Sequence, residues 1–202
     1  MKYYSYVVAR DFGFAPNPFG QHCTLATCKH KIRKNASVND WIFGITSKRK
    51  GNRLVFAMKI NQKITFDDYW NTPEFQYKKP VLNGSLKQMY GDNIYHFDKT
   101  INKWFQADSH HSLDNGEINY ENLNRDTSGE YVLVSKEFYY FGSENIEIPL
   151  ALKTKFSVGR GHKLVKEEVA HKLIDWLKEN HECGFHGDPI SFTGFLRYDG
   201  VS

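Results

Sequence analysis

The chain has 202 residues, 40% of them hydrophobic and 15% aromatic, and carries a formal net charge of +4. A chain of this size can bury a core without disulfide bonds, and no run of about 18 apolar residues occurs, which excludes a membrane-spanning helix. The first residues lack the apolar stretch of a signal peptide, and three cysteines cannot all pair within one chain. We therefore predict a single domain over residues 1–202 in the reducing cytoplasm.

The charges are distributed unevenly along the chain. Residues 29–34 and 48–53 carry four Lys or Arg each, whereas residues 107–130 contain six carboxylates and a single Arg. Two basic clusters of this kind predict a surface that meets phosphates, and the alternative is a pair of solvated loops. The acidic stretch is rich in Asn, Ser and Gly, and we interpret it as a loop insertion at about 107–130.

The first elements follow from local patterns. Residues 3–9 are aromatic and β-branched, which predicts a strand. Residues 10–21 follow as a structured loop, because Gly, Pro and Asn-Pro interrupt any regular element. Residues 38–46 and 53–60 are two strand patterns joined by a turn-like segment, and they predict an antiparallel hairpin.

The later elements continue in the same way. Residues 65–70 predict a short helix that begins with a capping box. Residues 101–106 predict a strand, and 131–141 is the clearest strand pattern of the chain. Residues 163–180 show the 3.6-residue period of an amphipathic helix, and 190–198 predict a closing strand.

Many strands, short loops and one long helix indicate the α+β class. The expected architecture is a strand-rich, partly closed β-barrel or curled mixed sheet, with the C-terminal helix packed on it. The side chains expected to make that contact are Leu164, Val169, Leu173 and Leu177.

The loop after the first strand has the components of a base-binding pocket. Phe14 and Phe19 offer faces on which a base can stack, while Asp11 and Asn17 can read its edge, with Arg10 beside them. The alternative is that the phenylalanines belong to the core and that Arg10 pairs with Asp11.

Cysteine and histidine, which can ligate a metal, recur at both ends of the chain. The residues in question are His22, Cys23, Cys28, His30, His181, Cys183 and His186. No CxxC occurs, and the odd separation of Cys23 and Cys28 would place the two thiols on opposite faces of a strand. We predict no tightly bound metal and no cofactor.

Candidate general acid–base residues lie in or near the acidic insertion. They are Asp92, Asn93, Asp108, His110 and His111. Histidine beside carboxylates suits proton transfer because its pKa lies near working pH. A Ser–His–Asp triad can also be drawn from Ser112, His111 and Asp126, although no G-x-S-x-G supports a nucleophile elbow. The alternative is that the histidine pair is simply exposed.

A glycine-containing segment precedes the predicted long helix. Gly159 and Gly161 would let backbone amides converge, and the helix N-terminus would favour an anion. Arg160 and Lys163 would add positive charge, so this segment is a second candidate phosphate site.

Three stretches together carry a resemblance to a known family. They are YVVARDFGFAPNPFGQHCTLATCKHKIRKNASVNDWIFGIT, MYGDNIYHF and DTSGEYVLVSKEFYYFG. They resemble the bacterial family called nucleotide modification associated domain 2, over roughly residues 3–150. The resemblance implies a role near modified nucleotides, in DNA base modification or phage defence, without implying a particular reaction.

A second likeness is to PUA-like modules of the EVE and ASCH kind. The phrase VNDWIFG, followed by the strand LVFAMKI, is similar to theirs, and such barrels bind modified bases or RNA in an aromatic pocket. The candidate ligand-binding residues are therefore Arg10, Asp11, Phe14, Asn17, Phe19 and Trp41. The candidate phosphate contacts are Lys29, Arg33, Lys48, Arg49, Arg160 and Lys163.

The leading hypothesis is a domain that holds an ordinary or modified base of a nucleotide or nucleic acid, with DNA preferred over RNA as partner. One alternative is an enzyme that modifies this base through Asp and His side chains. Another is a non-catalytic interaction subunit. A site that contains both the loop aromatics and the pair His110 and His111 would favour the enzyme.

Overall fold

The computed structural model describes residues 1–198. The strands are β1 (Tyr3–Val7), β2 (Cys23–Leu25), β3 (Trp41–Ile45), β4 (Leu54–Lys59), β5 (Gln62–Thr65), β6 (Tyr95–Asp98), β7 (Lys103–Gln106), β8 (Tyr131–Ser135), β9 (Glu137–Tyr140), β10 (His162–Leu164) and β11 (Gly184–Phe185). The α-helices are α1 (His30–Asn35), α2 (Phe66–Asn71), α3 (Leu86–Met89), α4 (Tyr120–Thr127), α5 (Leu150–Phe156) and α6 (Glu167–Asn180). The 3-10 helices are Lys48–Lys50, Pro73–Lys78 and Gly142–Glu144.

The chain forms two compact units, each built from separate segments. The first unit comprises Met1–Asp11, Ala36–Gln62 and Ser135–Ser191. The second unit comprises Phe12–Asn35, Lys63–Val134 and Phe192–Ser202, of which residues 199–202 lie outside the described part. The prediction of a single domain stays a prediction.

A six-stranded mixed sheet forms the first unit, in the order β10-β1-β3-β4-β9-β11. Strand β1 is parallel to β3, and β3 is antiparallel to β4, with Trp41 opposite Lys59 and Phe43 opposite Ala57. This pairing confirms the predicted hairpin of 38–46 with 53–60. Its connection contains the 3-10 turn Lys48–Lys50, which Gly51 ends at a φ of +90°.

Helix α6 belongs to the core of the first unit through Val169, Leu173 and Leu177, which cluster with strand residues such as Phe43. The predicted long helix is therefore confirmed from Glu167 onward. Its first turn is wrong, because residues 162–164 form β10 and pair with β1. Leu164 consequently does not pack as predicted: it lies on an edge strand and is 57% exposed.

The second unit holds the sheet β2-β8-β5, the ribbon β6-β7 and helices α1 to α4. Its core is mostly aromatic and includes Phe14, Tyr69, Tyr90 and Tyr95. The predicted capping box of α2 is confirmed: the Thr65 side chain accepts from the amide of Asp68, and the Asp68 carboxylate accepts from the amide of Thr65.

Three predicted elements are wrong. Residues 131–141 form two strands in different sheets, because the backbone breaks at Lys136, where the Asn61 side chain accepts from the amides of Lys136 and Glu137. The predicted insertion loop 107–130 contains helix α4, capped by Asn119. Residues 190–198 contain no strand.

The fold class is mixed α and β and strand-rich, as predicted. Residues 1–198 form no closed barrel: in the six-stranded sheet, β10 and β11 are edges with one neighbour each. The PUA-like barrel is therefore not confirmed. Among these residues, none of the helices has the length and apolar character needed to cross a membrane.

Candidate functional site

The acidic segment brings one histidine and one aspartate together inside the second unit. His111 Nδ1 lies 2.7 Å from the Oδ2 atom of Asp126, and both side chains are buried. Asp126 is held by helix α4, which begins where the Asn119 side chain accepts from two backbone amides. The side-chain amides of Gln106 and Asn122 both donate to the backbone carbonyl of His111 at 2.9 Å and fix its backbone.

The two side chains form a buried ion pair. Burial opposes the charged imidazolium, but the carboxylate of Asp126 outweighs it and raises the pKa of His111 to about 9. Burial likewise opposes the carboxylate, but His111, with Arg33 and Arg125 nearby, lowers the pKa of Asp126 to about 2. At neutral pH the pair therefore consists of an imidazolium and a carboxylate.

A cysteine lies at the other nitrogen of this histidine. Cys28 Sγ is 3.9 Å from His111 Nε2, and the amide of Cys28 donates to Asp126 Oδ1 at 2.8 Å. Cys28 has a φ of +54°, a left-handed conformation that is uncommon outside glycine and recurs at functional sites. Its side chain is partly exposed. The result is a Cys–His–Asp arrangement whose cysteine residue is partly exposed.

A buried arginine holds the backbone around this arrangement. The Arg33 guanidinium donates to the carbonyls of Cys28 at 2.8 Å, Tyr131 at 2.7 Å and Asp126. Tyr95 adds a hydroxyl that donates to Asp126 Oδ2 at 3.1 Å. Arg33 is fully buried and its guanidinium donates to protein carbonyls, so its contact with phosphate stays a prediction.

The loop aromatics and the histidine pair occupy one cluster of the second unit. The Phe14 ring centroid lies 4.7 Å from His111 and 4.9 Å from His110, and Phe12 lies 5.0 Å from His110. Tyr198 covers His111 at 5.5 Å. The alternative of an exposed histidine pair is wrong, because both rings are buried. Phe14 is 3% exposed, so it is a core residue here.

The other acid–base candidates of the insertion have different surroundings. The Ser112 hydroxyl accepts from the amide of Ser109 at 2.9 Å and donates to the carbonyl of Ala107 at 3.1 Å, so it does not serve His111. Asp108 is exposed and pairs with Arg197. Of the three residues in the Ser–His–Asp hypothesis, His111 and Asp126 contact each other, whereas the Ser112 hydroxyl bonds to the backbone.

Asp92 and Asn93 belong to a separate buried polar network. Asp92 accepts from Thr24 Oγ1 and from the Tyr69 hydroxyl, both at 2.7 Å. Asn93 donates to the carbonyls of Tyr69 at 2.8 Å and Phe75 at 3.2 Å. These contacts connect elements of the core, and an acid–base role for either residue stays a prediction.

The amide of Asn17 is likewise used internally. Its Nδ2 donates to the carbonyl of Tyr90 at 2.9 Å, and its Oδ1 accepts from the buried ammonium of Lys78 at 2.6 Å. Phe19 is partly buried and packs 5.7 Å from Phe192. In this structure both side chains pack within the second unit, whereas the prediction had Asn17 recognise the edge of a base and Phe19 stack on its face.

Three predicted ligand residues lie in the first unit. Asp11 accepts from the Tyr140 hydroxyl at 2.6 Å and from the amide of Ile190 at 3.2 Å. Trp41 is buried and stacks on Phe43 with centroids 6.0 Å apart. Arg10 is exposed.

The remaining phosphate candidates are spread over both units. In the first unit, Lys48 and Arg49 are exposed on a 3-10 turn and Arg160 is exposed. Lys163 lies in β10, so neither it nor Arg160 stands at a helix N-terminus, and that part of the prediction is wrong. In the second unit, Lys29 follows Cys28 directly, and burial lowers the pKa of its ammonium.

No metal centre is formed by the part of the chain that the structure describes. Within it, no three His, Cys, Asp or Glu side chains are grouped so that they could hold an ion. Cys23 is buried in β2, and Cys183 is exposed in the first unit.

Fold and site together define a mixed α and β protein in which a partly exposed cysteine, a buried histidine and a buried aspartate are linked in the order that thiol-dependent enzymes use. The family model described as nucleotide modification associated domain 2 matches residues 1–195, and the chain belongs to that family. The resemblance seen in the sequence is confirmed, and the family name indicates a role in nucleotide modification. Neither a curated protein nor a solved structure matches the chain.

Proposed function

We propose that the chain is a thiol-dependent enzyme that modifies the base of a nucleotide or nucleic acid. Cys28 is the nucleophile, His111 carries the proton, and Asp126 orients His111 and keeps it charged. The observation that carries this proposal is the continuous chain of contacts from Cys28 Sγ through the two nitrogens of His111 to Asp126 Oδ2, at 3.9 and 2.7 Å. Contacts between catalytic groups are often long in a free enzyme and shorten when substrate binds.

The arrangement suits covalent catalysis. The sulfur of Cys28 uses an electron pair to bond an electrophilic carbon of the base, and the π electrons at that carbon move to the adjacent atom. The adjacent atom, which receives the π electrons, takes the proton from His111 Nε2; when the carbon–sulfur bond breaks and the π bond re-forms, that proton returns to His111. Asp126 does not change its protonation state; it fixes the ring through Nδ1.

Three features support a base as the substrate. The family name refers to nucleotide modification. Phe12 and Tyr198 are partly exposed rings beside the histidine pair and offer stacking surfaces. Basic residues follow Cys28 directly in the sequence. We propose DNA as the preferred polymer, a setting in DNA modification or phage defence, and the cytoplasm as the compartment, which the three free cysteines favour.

Alkylation of Cys28 tests the nucleophile directly. In a Cys183→Ser background, Cys28 is the only partly exposed thiol, because Cys23 is buried. Iodoacetamide at pH 7, followed by intact-mass spectrometry, should modify Cys28 at least about tenfold faster than it modifies Cys183 in a Cys28→Ser protein. His111→Gln should slow the modification of Cys28 by a similar factor.

Ser112→Ala is the matched control, because it removes the hydroxyl next to His111 in sequence and leaves the Cys–His–Asp contacts in place. Product formation should then be compared on duplex DNA, single-stranded DNA, RNA and free nucleotides. It should be lost in Cys28→Ser and kept in Ser112→Ala. The proposal is overturned if Cys28 reacts no faster than Cys183 and His111→Gln changes nothing.

A further inference from the structure

We propose that Arg125 forms an anion subsite beside Cys28 that takes a phosphate group of the substrate, an inference that rests on the proposed function. The site consists of the Arg125 guanidinium, held between Asp126, Asn122 and Tyr198 and close enough to Cys28 to interact with it electrostatically. No other residue of the proposed mechanism offers an accessible cation.

Arg125 and Cys28 border the same oxygen atom. Asp126 Oδ1 accepts from the amide of Cys28 at 2.8 Å and lies 3.6 Å from Arg125 Nε. One terminal nitrogen of the guanidinium donates to Asn122 Oδ1. The ring of Tyr198 lies 5.4 Å from the guanidinium carbon and supports its face. These contacts fix the plane of the guanidinium next to the nucleophile.

The guanidinium keeps donors for a ligand. Arginine has five N–H groups, and the contacts with Asp126 and Asn122 use two of them. Within residues 1–198, the second terminal nitrogen makes no hydrogen bond. The Arg125 side chain is 28% exposed, in contrast to Arg33, which is fully buried. Arg125 can therefore present a fork of N–H groups to an oxyanion arriving from solvent.

The charge balance around the site also favours an anion. Asp126 is the carboxylate at its centre, and the His111 imidazolium already matches its charge. Arg33, Arg125 and Lys29 remain as additional cations, and they outnumber the one further negative charge present when the Cys28 proton lies on His111. Arg33 and Arg125 are close enough to His30 to lower its pKa, which burial lowers first and Asp126 raises. A partly buried site with surplus positive charge is stabilised when a phosphate enters.

Two alkylating agents of nearly equal size test the subsite. Iodoacetate carries a carboxylate and iodoacetamide is neutral, so the ratio of their rates at Cys28 reports an anion-binding group beside the sulfur. In the Cys183→Ser background, Arg125→Gln should lower this ratio at least about tenfold, the size of one charge-assisted hydrogen bond. Arg125→Lys should keep part of the preference, because it retains the charge and loses the fork.

Arg197→Gln is the control, since Arg197 is an arginine of the same unit that pairs with Asp108. It should leave the ratio unchanged. Inorganic phosphate should slow alkylation of the parent protein and have no effect on Arg125→Gln. If Cys28 reacts fast and depends on His111, yet the ratio is the same with and without Arg125, the subsite is overturned and the proposed function stands. If Cys28 reacts with neither agent, both are overturned.

Discussion

The buried pair of His111 and Asp126 makes a specific prediction about stability and pH. The pKa of His111 is raised from 6.5 to about 9 in the folded protein. A raised pKa contributes stability that is fully present below 6.5 and is lost as pH rises through 9, because the unfolded chain releases the proton first. Asp126→Asn should remove this contribution, since burial then favours the neutral imidazole.

The magnitude follows from the pKa values. Between pH 6 and pH 8, His111 largely keeps its proton in the folded state and loses it in the unfolded chain. Each pH unit then changes the free energy of unfolding by about 1.36 kcal/mol at most, so the stabilising contribution of His111 should fall by about 2 kcal/mol over this range. Asp126→Asn breaks the buried pair, which costs about 3–5 kcal/mol, because His111 then either loses its proton or stays charged without a partner. We therefore expect the gap in unfolding free energy between parent and variant to be largest at pH 6 and about 2 kcal/mol smaller at pH 8.

Urea denaturation at a series of pH values measures this gap. Lys78 also titrates in the range, because burial lowers its pKa to about 8, but it does so in both proteins and cancels in the difference. NMR titration of His111 in the parent protein gives a second measurement that does not require the variant to fold. A gap that does not change with pH, or an imidazole of His111 that titrates at or below 6.5, would refute the reasoning.

Two glycine substitutions test the packing. Gly44→Ala should destabilise the protein by about 1–3 kcal/mol, because the new Cβ would lie 2.0 Å from the ring of Phe56. Gly159→Ala should change the urea midpoint little, because no heavy atom lies within 4 Å of its new Cβ. Gly129→Ala should place a Cβ 2.6 Å from the buried guanidinium of Arg33, and we expect both a lower urea midpoint and a slower alkylation of Cys28. Equal midpoints for Gly44→Ala and Gly159→Ala, or unchanged alkylation in Gly129→Ala, would contradict these expectations.

Elements with a local signal could be predicted from the sequence. The hairpin of β3 and β4 follows from two apolar runs separated by a short turn, and α2 follows from the capping residues Thr65 and Asp68. The break at Lys136 could not be predicted, because it depends on Asn61, a residue 75 positions away. Leu164 was misassigned because a short apolar run fits the helical period as well as an edge strand.

The candidate site shows the same dependence on distance along the chain. The insertion was expected to be a loop, yet Asn119 caps a helix there, and this helix places Asp126 against His111, 15 residues away. A pair this close in sequence could be proposed from its residue types alone. Cys28 lies 83 residues from His111, and no spacing or motif connects the two.

The contact of Cys28 with His111 could not be predicted from the sequence for a physical reason. The same reason explains why Ser112, although adjacent to His111 in sequence, does not contact its ring. Consecutive side chains in a turn point apart, so Ser112 directs its hydroxyl to the backbone of Ser109 and Ala107 instead of to the ring beside it. The group that contacts His111 Nε2 comes instead from a segment that is distant in sequence. Here that segment is the loop between β2 and α1, where the left-handed backbone of Cys28 turns its amide to Asp126 and its sulfur to His111. Because Asp126 contacts both residues, one carboxylate sets the positions of Cys28 and His111 together.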